Sequence, residues 1–258
     1  MIMPERHVCC GRPLYDYGFL DTAERYLQQV LLALREHVRA DTPVVGMEPS
    51  CMAVFKDELG KLLPHDDDAR RLTRNAYHFA EFFHTFDIAP PRLEGKALLW
   101  GHCHQRATGG MAPDEELLRR MGLEVDNLKG GCCGLAGSWG FEKGKYGISM
   151  DCGEQALFPA VRAADDGTFL VADGFSCRAQ LEDSGCLDGD GDERPSEPMH
   201  AAQLMKIARD ANRTGQGLTV PGKPAPPAWR RVARTAAVAV LGAGVAGLAA
   251  TWARARHR

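Results

Sequence analysis

Cysteines stand at three separated places in the second half of the chain, and a short run typical of a strand precedes each place. The runs KALLW (96–100), EVDNL (124–128) and TFLVA (168–172) are followed by Cys103, by Cys132-Cys133 and by Cys177. Because the carboxyl ends of parallel strands meet at one edge of a sheet, we expect these four thiols to lie together. Thiolates gathered in a reducing compartment are ligands for soft metals or for iron–sulfur clusters.

The first half of the chain repeats part of this pattern. Cys9-Cys10-Gly11 leads through a helical segment and a strand at 44–47 to Ser50-Cys51. Cys132-Cys133-Gly134 leads in the same way to Ser176-Cys177. An internal repeat of this kind is harder to obtain by chance than one motif. Only eight residues precede Cys9, so we expect the first copy to be truncated at its N-terminal side, without the opening strand–cysteine–helix–strand portion.

Composition excludes several classes of protein. The 258 residues are 45% hydrophobic and 25% charged, as in ordinary globular domains, and the net charge of -3 gives no reason to expect nucleic-acid binding. The N-terminal residues lack the apolar core of a signal peptide, which predicts a cytoplasmic protein. Nine cysteines without secretory context make a disulfide framework a poor explanation. We expect Cys152 to be a small buried residue and Cys186 not to be a ligand.

Helical patterns fill the intervals between the strands. A helix is predicted from Asp21, with Glu24 completing a capping box, to about Arg39. A second helix is predicted from a cap at Ser50 to Gly60, and a third begins near 65–68 and continues past Phe83. For His65 and its three acids, a metal site is the weaker alternative to an acidic first turn. Further helices are predicted at 113–121 and 148–164.

These elements predict an α/β fold of two pseudo-repeated units, each a short parallel sheet flanked by helices. Residues 1–90 form the first, incomplete unit and 91–183 the second, with Pro90-Pro91 between them. An acidic linker (184–199), a helix (200–213), a Pro-rich basic spacer (214–234) and a hydrophobic helix (235–252) follow. That last helix would span about 25 Å, so it is a candidate anchor to the inner face of the membrane. A shielded or aggregation-prone tail is the alternative.

The cysteine motifs resemble a known family. GCCGLAGSWGFE (131–142), GHCH (101–104) and ADGFSCR (172–178), with CCGRPLYD (9–16) and EPSC (48–51), are similar to the cysteine-rich CCG domain. That domain occurs in the cysteine-rich component of heterodisulfide reductase, in the iron–sulfur component of glycolate oxidase and in anaerobic glycerol-3-phosphate dehydrogenase. The closest similarity is to the C-terminal part of fusion proteins that join an FAD-linked oxidase to iron–sulfur domains.

The resemblance implies that Cys103, Cys132, Cys133 and Cys177 hold a 4Fe-4S cluster, and that Cys9, Cys10 and Cys51 form a partial second site. Four thiolates satisfy one such cluster. The chain departs from the heterodisulfide reductase pattern, which ends in a Cys-x-x-Cys pair: Glu48 and Gly174 occupy the first of those positions. This departure favours a four-thiolate site over a five-thiolate noncubane cluster.

The resemblance also implies a function as one component of an oxidoreductase. No ferredoxin-type cysteine run and no flavin-binding region are recognised, so FAD is expected only on a partner chain. The module would pass electrons from a flavoprotein dehydrogenase, with a ferredoxin-like chain or domain as a second partner, towards a quinone or another acceptor. It would not oxidise a 2-hydroxy acid by itself. The alternatives are a zinc-binding structural module and a thiol–disulfide redox protein.

Overall fold

The second half of the chain is organised on a three-stranded parallel sheet. In the computed structural model, which describes residues 2–187 and 196–214, β3 (Gly95–Leu99) lies between β4 (Leu123–Asn127) and β5 (Phe169–Val171). Residue Met199 continues the sheet beyond β5 through one parallel bridge to Val171. All three strands are parallel, so the loops that follow them leave the sheet at the same edge.

Helices connect these strands and cover both faces of the sheet. After β3 come α7 (Cys103–Thr108) and α8 (Ala112–Met121), and after β4 come a 3₁₀ turn (Trp139–Phe141), α9 (Tyr146–Glu154) and α10 (Leu157–Arg162). After β5 come α11 (Phe175–Ser184) and α12 (Ala201–Thr214). Alternate residues of the central strand serve opposite faces: Leu99 packs with α8 and α12, and Leu98 packs in the cluster that contains Cys133 and Cys177.

The first half has a smaller sheet, which is also parallel. Two strands, β1 (Val44–Gly46) and β2 (Ala76–His78), pair in it. The helices are α1 (Arg12–Asp16), α2 (Leu20–Arg39), α3 (Pro49–Ala53), a π-helical turn (Val54–Glu58), α4 (Leu59–Leu62), α5 (Asp67–Asn75) and α6 (Phe79–Thr85). A core that includes Leu27, Met52, Leu72 and Cys10 holds these elements together.

The predicted α/β fold with short parallel sheets is confirmed, and the four predicted strands lie within one or two residues of their expected bounds. Three details were wrong. Helix α2 begins at Leu20 without a side-chain cap, so Asp21 and Glu24 form no capping box. Glu48, not Ser50, caps α3, because its carboxylate accepts the Ser50 N–H. The helix predicted at 148–164 is two helices, since the turn at Gln155 and Ala156 separates α9 from α10.

A fourth error concerns the helix predicted to run from 65–68 past Phe83. Asp66 does cap a helix there, but that helix ends at Asn75, and the next three residues form β2. The amphipathic pattern continues across the break because both α5 and α6 bury one face. Pairing with β1 satisfies the backbone of Ala76 to His78, which a single-helix interpretation could not anticipate.

The C-terminal predictions fall largely outside the described residues. The spacer from residue 215 onwards and the hydrophobic helix (235–252) belong to that part, as does half of the acidic linker, residues 188–195. Within residues 2–187 and 196–214, no helix is both long and apolar enough to cross a membrane. Helix α12 lies where the sequence predicts a helix at 200–213.

Candidate iron–sulfur site

The four cysteines of the second half lie together at the edge where the parallel strands end. Cys103 is the first residue of α7, Cys132 and Cys133 lie in the loop after β4, and Cys177 is the third residue of α11. Their thiols lie close enough to interact as a connected series: Cys132 interacts with Cys103 and with Cys133, and Cys133 interacts with Cys177. The structure therefore brings together the four residues that the sequence singled out.

These contacts favour the charged form of one of the four thiols, that of Cys132. The thiols of Cys103 and Cys133 lower the pKa of Cys132, and the Gly134 N–H, 3.3 Å from the Cys132 sulfur, also favours its charged form. The hydrogen bonds to Cys132, together with burial, raise the pKa values of Cys103 and Cys133. A thiolate is the form of cysteine that binds metals. Cys132 is thus the cysteine of this group whose metal-binding form is most favoured, and any thiol of the group loses its proton when it binds a metal.

Gly134 is required by the backbone at this place. Its φ is +101°, and a Cβ built on it would lie 2.0 Å from the carbonyl oxygen of Ser149 on α9. The loop after Cys133 therefore passes directly against that helix. The glycine of the Cys-Cys-Gly motif allows this close approach, which places the Gly134 N–H on the Cys132 sulfur.

The cysteines of the first half form a second, smaller group. The sulfurs of Cys10 and Cys51 are 2.9 Å apart, and Cys9 lies close enough to Cys51 to interact with it. Cys10 is buried, whereas Cys9 and Cys51 are half-buried. Helix α3, which carries Cys51, packs against α7, which carries Cys103. The two cysteine groups are thus on adjoining elements.

Arg106, which the sequence did not single out, and Gly174 both support the larger group. The Arg106 guanidinium on α7 stacks over Trp100, 5.1 Å from the ring centroid, and donates a hydrogen bond to the Gly131 carbonyl. It therefore joins α7 to the residue before Cys132. Gly174 leaves room for His102, whose ring would lie 2.3 Å from a Cβ at that position. The Gly-x-x-Cys spacing noted in the sequence therefore has a packing reason.

His102 and His104 flank Cys103 and differ in their surroundings. His102 is buried and its Nδ1 accepts the His104 N–H at 3.2 Å, while burial lowers its pKa to about 4. His102 is therefore neutral at physiological pH. Burial also lowers the pKa of His104, whose Nδ1 has no hydrogen-bond partner among the described residues.

A buried acidic pair lies behind the site. Gln105 on α7 donates to an Asp114 carboxylate oxygen at 2.7 Å, and Asp173, after β5, accepts the Ala201 N–H at 2.8 Å. Burial and the charge of Asp173 raise the pKa of Asp114 to about 8, and burial raises that of Asp173. The hydrogen bond to Gln105 links this pair to the helix that begins with Cys103.

The site thus lies in an α/β domain that is rich in thiols and has four of its cysteines at one sheet edge. Residues 1–56 match the family described as the cysteine-rich domain, CCG. The chain is 30% identical over 186 residues to a subunit of the anaerobic glycerol-3-phosphate dehydrogenase of Escherichia coli K12, covering 69% of this chain and 46% of that protein. It is 28% identical over 218 residues to lactate utilization protein A of Lysinibacillus sphaericus, covering 78% of this chain and 88% of that protein.

A third relative is D-2-hydroxyglutarate dehydrogenase of Pseudomonas putida, which is 26% identical over 177 residues, or 67% of this chain and 17% of that protein. The chain spans less than half the length of its glycerol-3-phosphate dehydrogenase relative. It contains a cysteine-rich CCG domain, and the match lies on the part of the chain that carries Cys9, Cys10 and Cys51.

In the type and number of their donor atoms, the residues present fit the cofactor that the family implies. Four thiols converge, the pKa of one of them, Cys132, is lowered, and a backbone N–H lies 3.3 Å from its sulfur. In the part of the chain that the structure describes, no group of three or more His, Cys, Asp or Glu side chains is arranged around a single metal-ion position.

Proposed function

We propose that the chain is the iron–sulfur electron-transfer module of a flavin-dependent dehydrogenase. Cys103, Cys132, Cys133 and Cys177 would hold a 4Fe-4S cluster, and Cys9, Cys10 and Cys51 would form a partial second site. The observation that carries the proposal is the connected series of four thiols at one sheet edge. The names of the relatives, which are a dehydrogenase, a component of a second dehydrogenase and a lactate utilization protein, support the same class of reaction.

The substrate of the whole system would be a 2-hydroxy acid such as glycolate or lactate, or a related alcohol, oxidised on a partner that carries FAD. A ferredoxin-like chain or domain would be a second partner, and a quinone is a candidate acceptor. When bound, the cluster supplies one-electron transfer between these partners. This chain's residues bind the cluster and exclude water from it: Cys133 and Cys177 are buried in the apolar cluster around Leu98, Leu135 and Leu181. The Gly134 N–H stabilises negative charge on the Cys132 sulfur.

Iron and acid-labile sulfide analysis of the full chain, purified without oxygen, tests the cofactor. We expect about four of each per chain for the larger group, and a clear loss of iron in Cys133→Ser. Cys186→Ser is the matched control, because the Cys186 sulfur contacts Ser184 and belongs to neither group. Iron in excess of four would come from the first group and should fall in Cys10→Ser.

Three results would contradict the proposal. Equal iron in Cys133→Ser and the unaltered chain would show that the thiol series is not the site. Zinc without sulfide would favour the structural module, and neither metal, with activity that alkylation abolishes, would favour a thiol–disulfide protein. The partner is tested separately: mixing the loaded chain with a flavin-dependent 2-hydroxy-acid dehydrogenase and its substrate, without oxygen, should bleach the visible absorbance of the cluster.

A further inference from the structure

A single carboxylate, that of Glu48, binds the first turns of two helices from different halves of the chain. Its Oε1 accepts the Ser50 N–H at 3.2 Å and the Ser50 hydroxyl at 2.8 Å, in the first turn of α3. Its Oε2 accepts the Phe175 N–H at 2.8 Å, at the first residue of α11. Both helices present a cysteine as their third residue: Cys51 in α3 and Cys177 in α11.

The two bonds have different physical roles. The N–H groups of a first helical turn have no partner inside their own helix, and a carboxylate satisfies them while its charge interacts favourably with the helix dipole. The bond to Ser50 is local and fixes the start of α3. The bond to Phe175 joins residues 127 positions apart, so it fixes α11 relative to α3. Each carboxylate oxygen is already engaged, which argues against Glu48 as a metal ligand.

A second bond near Glu48 joins the same two halves independently. The Nδ1 of His200 accepts the Ala202 N–H at 2.9 Å, so its Nε2 carries the proton and donates to the carbonyl oxygen of Met47 at 2.9 Å. Residues 47 and 48 are thus each bonded to the second half of the chain, Met47 through its carbonyl oxygen to His200 and Glu48 through its carboxylate to Phe175. Among the described residues, Cys51, His102 and Asp173 lie close enough to Glu48 to interact with its charge.

We propose that Glu48 is a positioning residue that holds the Cys51 helix and the Cys177 helix in one fixed arrangement and places one negative charge between the two cysteine groups. The positioning part concerns the protein alone. The effect of the charge on a bound cluster rests on the proposed function. The two parts are therefore tested by separate measurements on the same variants.

Glu48→Asp and Glu48→Gln separate length from charge. Aspartate is one methylene shorter, so it keeps the charge and can still cap α3, but it does not reach the Phe175 N–H. Glutamine keeps the length and loses the charge, and its amide nitrogen cannot accept a bond. Glu182→Gln is the matched control, because Glu182 is an exposed acid on α11 itself.

Amide hydrogen exchange on the full chain, resolved to single residues, tests the positioning. We expect exchange at Phe175 to accelerate about fivefold to tenfold in Glu48→Asp, as for the loss of one hydrogen bond, while exchange at Ser50 stays close to that of the unaltered chain. Glu182→Gln should change neither. Unchanged exchange at Phe175 in Glu48→Asp would overturn the positioning role, whether or not the chain holds a cluster.

The midpoint potential of the iron-loaded chain, measured by spectroscopic redox titration, tests the charge. Loss of a negative charge favours the reduced cluster, so Glu48→Gln should raise the potential by about 59 mV, which is tenfold in the one-electron equilibrium. Glu48→Asp should shift it less, and Glu182→Gln should not shift it. Equal potentials in the unaltered chain and Glu48→Gln would overturn the role of the charge. Failure of the unaltered chain to bind iron would instead overturn the proposed function.

Discussion

Gly134 offers the sharpest test of how the cysteine loop is built, and we expect Gly134→Ala to destabilise the protein by about 2 to 5 kcal/mol. A positive φ costs a residue with a Cβ about 1 to 2 kcal/mol. Overpacking against a neighbour costs about 1 to 3 kcal/mol more. Here the neighbour is the backbone carbonyl of Ser149, 2.0 Å from the added Cβ, so no side-chain rotation can relieve the contact.

Two nearby glycines separate these contributions. Gly137 also has a positive φ, +75°, but a Cβ there would meet nothing within 4 Å, so Gly137→Ala should cost about 1 kcal/mol from the backbone alone. Gly131 has neither feature, and Gly131→Ala should be close to neutral. Urea unfolding of all three variants at one pH, with the m-value checked for constancy, gives the comparison. If Gly134→Ala cost no more than Gly137→Ala, the close approach of the loop to α9 would be refuted.

Two further predictions concern residues around the site. Burial raises the pKa of Asp114 from 3.8 to about 8, so the folded protein holds this proton more tightly than the unfolded chain does. The free energy of unfolding therefore falls as the pH rises from about 4 to 8. Asp114→Asn cannot ionise, so it should be more stable than the unaltered chain at pH 8 by about 1 to 4 kcal/mol, and this difference should shrink towards pH 4. A difference in urea unfolding that does not depend on pH would contradict this. Arg106→Ala should lower the free energy of unfolding by about 1 to 2 kcal/mol through loss of the Trp100 stack and the bond to Gly131, while Arg119→Ala, on the exposed side of α8, should change it by less than about 0.5 kcal/mol.

The sequence predicted four of the five strands and the meeting of the four cysteines, because both follow from local signals and from one rule of parallel sheets. Each strand is a short run that ends just before a cysteine, and parallel order then places all those cysteines at one edge. The strand β2 was missed because its three residues continue the amphipathic pattern of the flanking helices. Only the partner strand, some thirty residues earlier in the chain, distinguishes a strand from a helix at this place.

The repeat also extends further than the cysteine motifs showed. In the first half β2 ends at His78, whose N–H donates to Glu81 at 3.0 Å at the start of α6. In the second half the bridge at Met199 is followed by His200, whose N–H donates to Gln203 at 2.8 Å at the start of α12. The matching His-x-x-Glu and His-x-x-Gln segments are visible in the sequence. They were missed because such capping pairs occur at many helix starts. They become evidence of a repeat only when both are seen to follow a parallel pairing.

The role of Glu48 could not be read from the sequence at all, since the bond to Phe175 depends on how the two halves pack. A sheet of two three-residue strands is marginal by itself, and the first half contains no other sheet within the described residues. Its support comes from the second half: α3 packs on α7, Glu48 binds Phe175, and Met47 binds His200. These contacts converge on the short segment between β1 and Cys51. The position of the smaller cysteine group is therefore set by the larger unit beside it, which is why a single carboxylate can bind helices that carry cysteines of both groups.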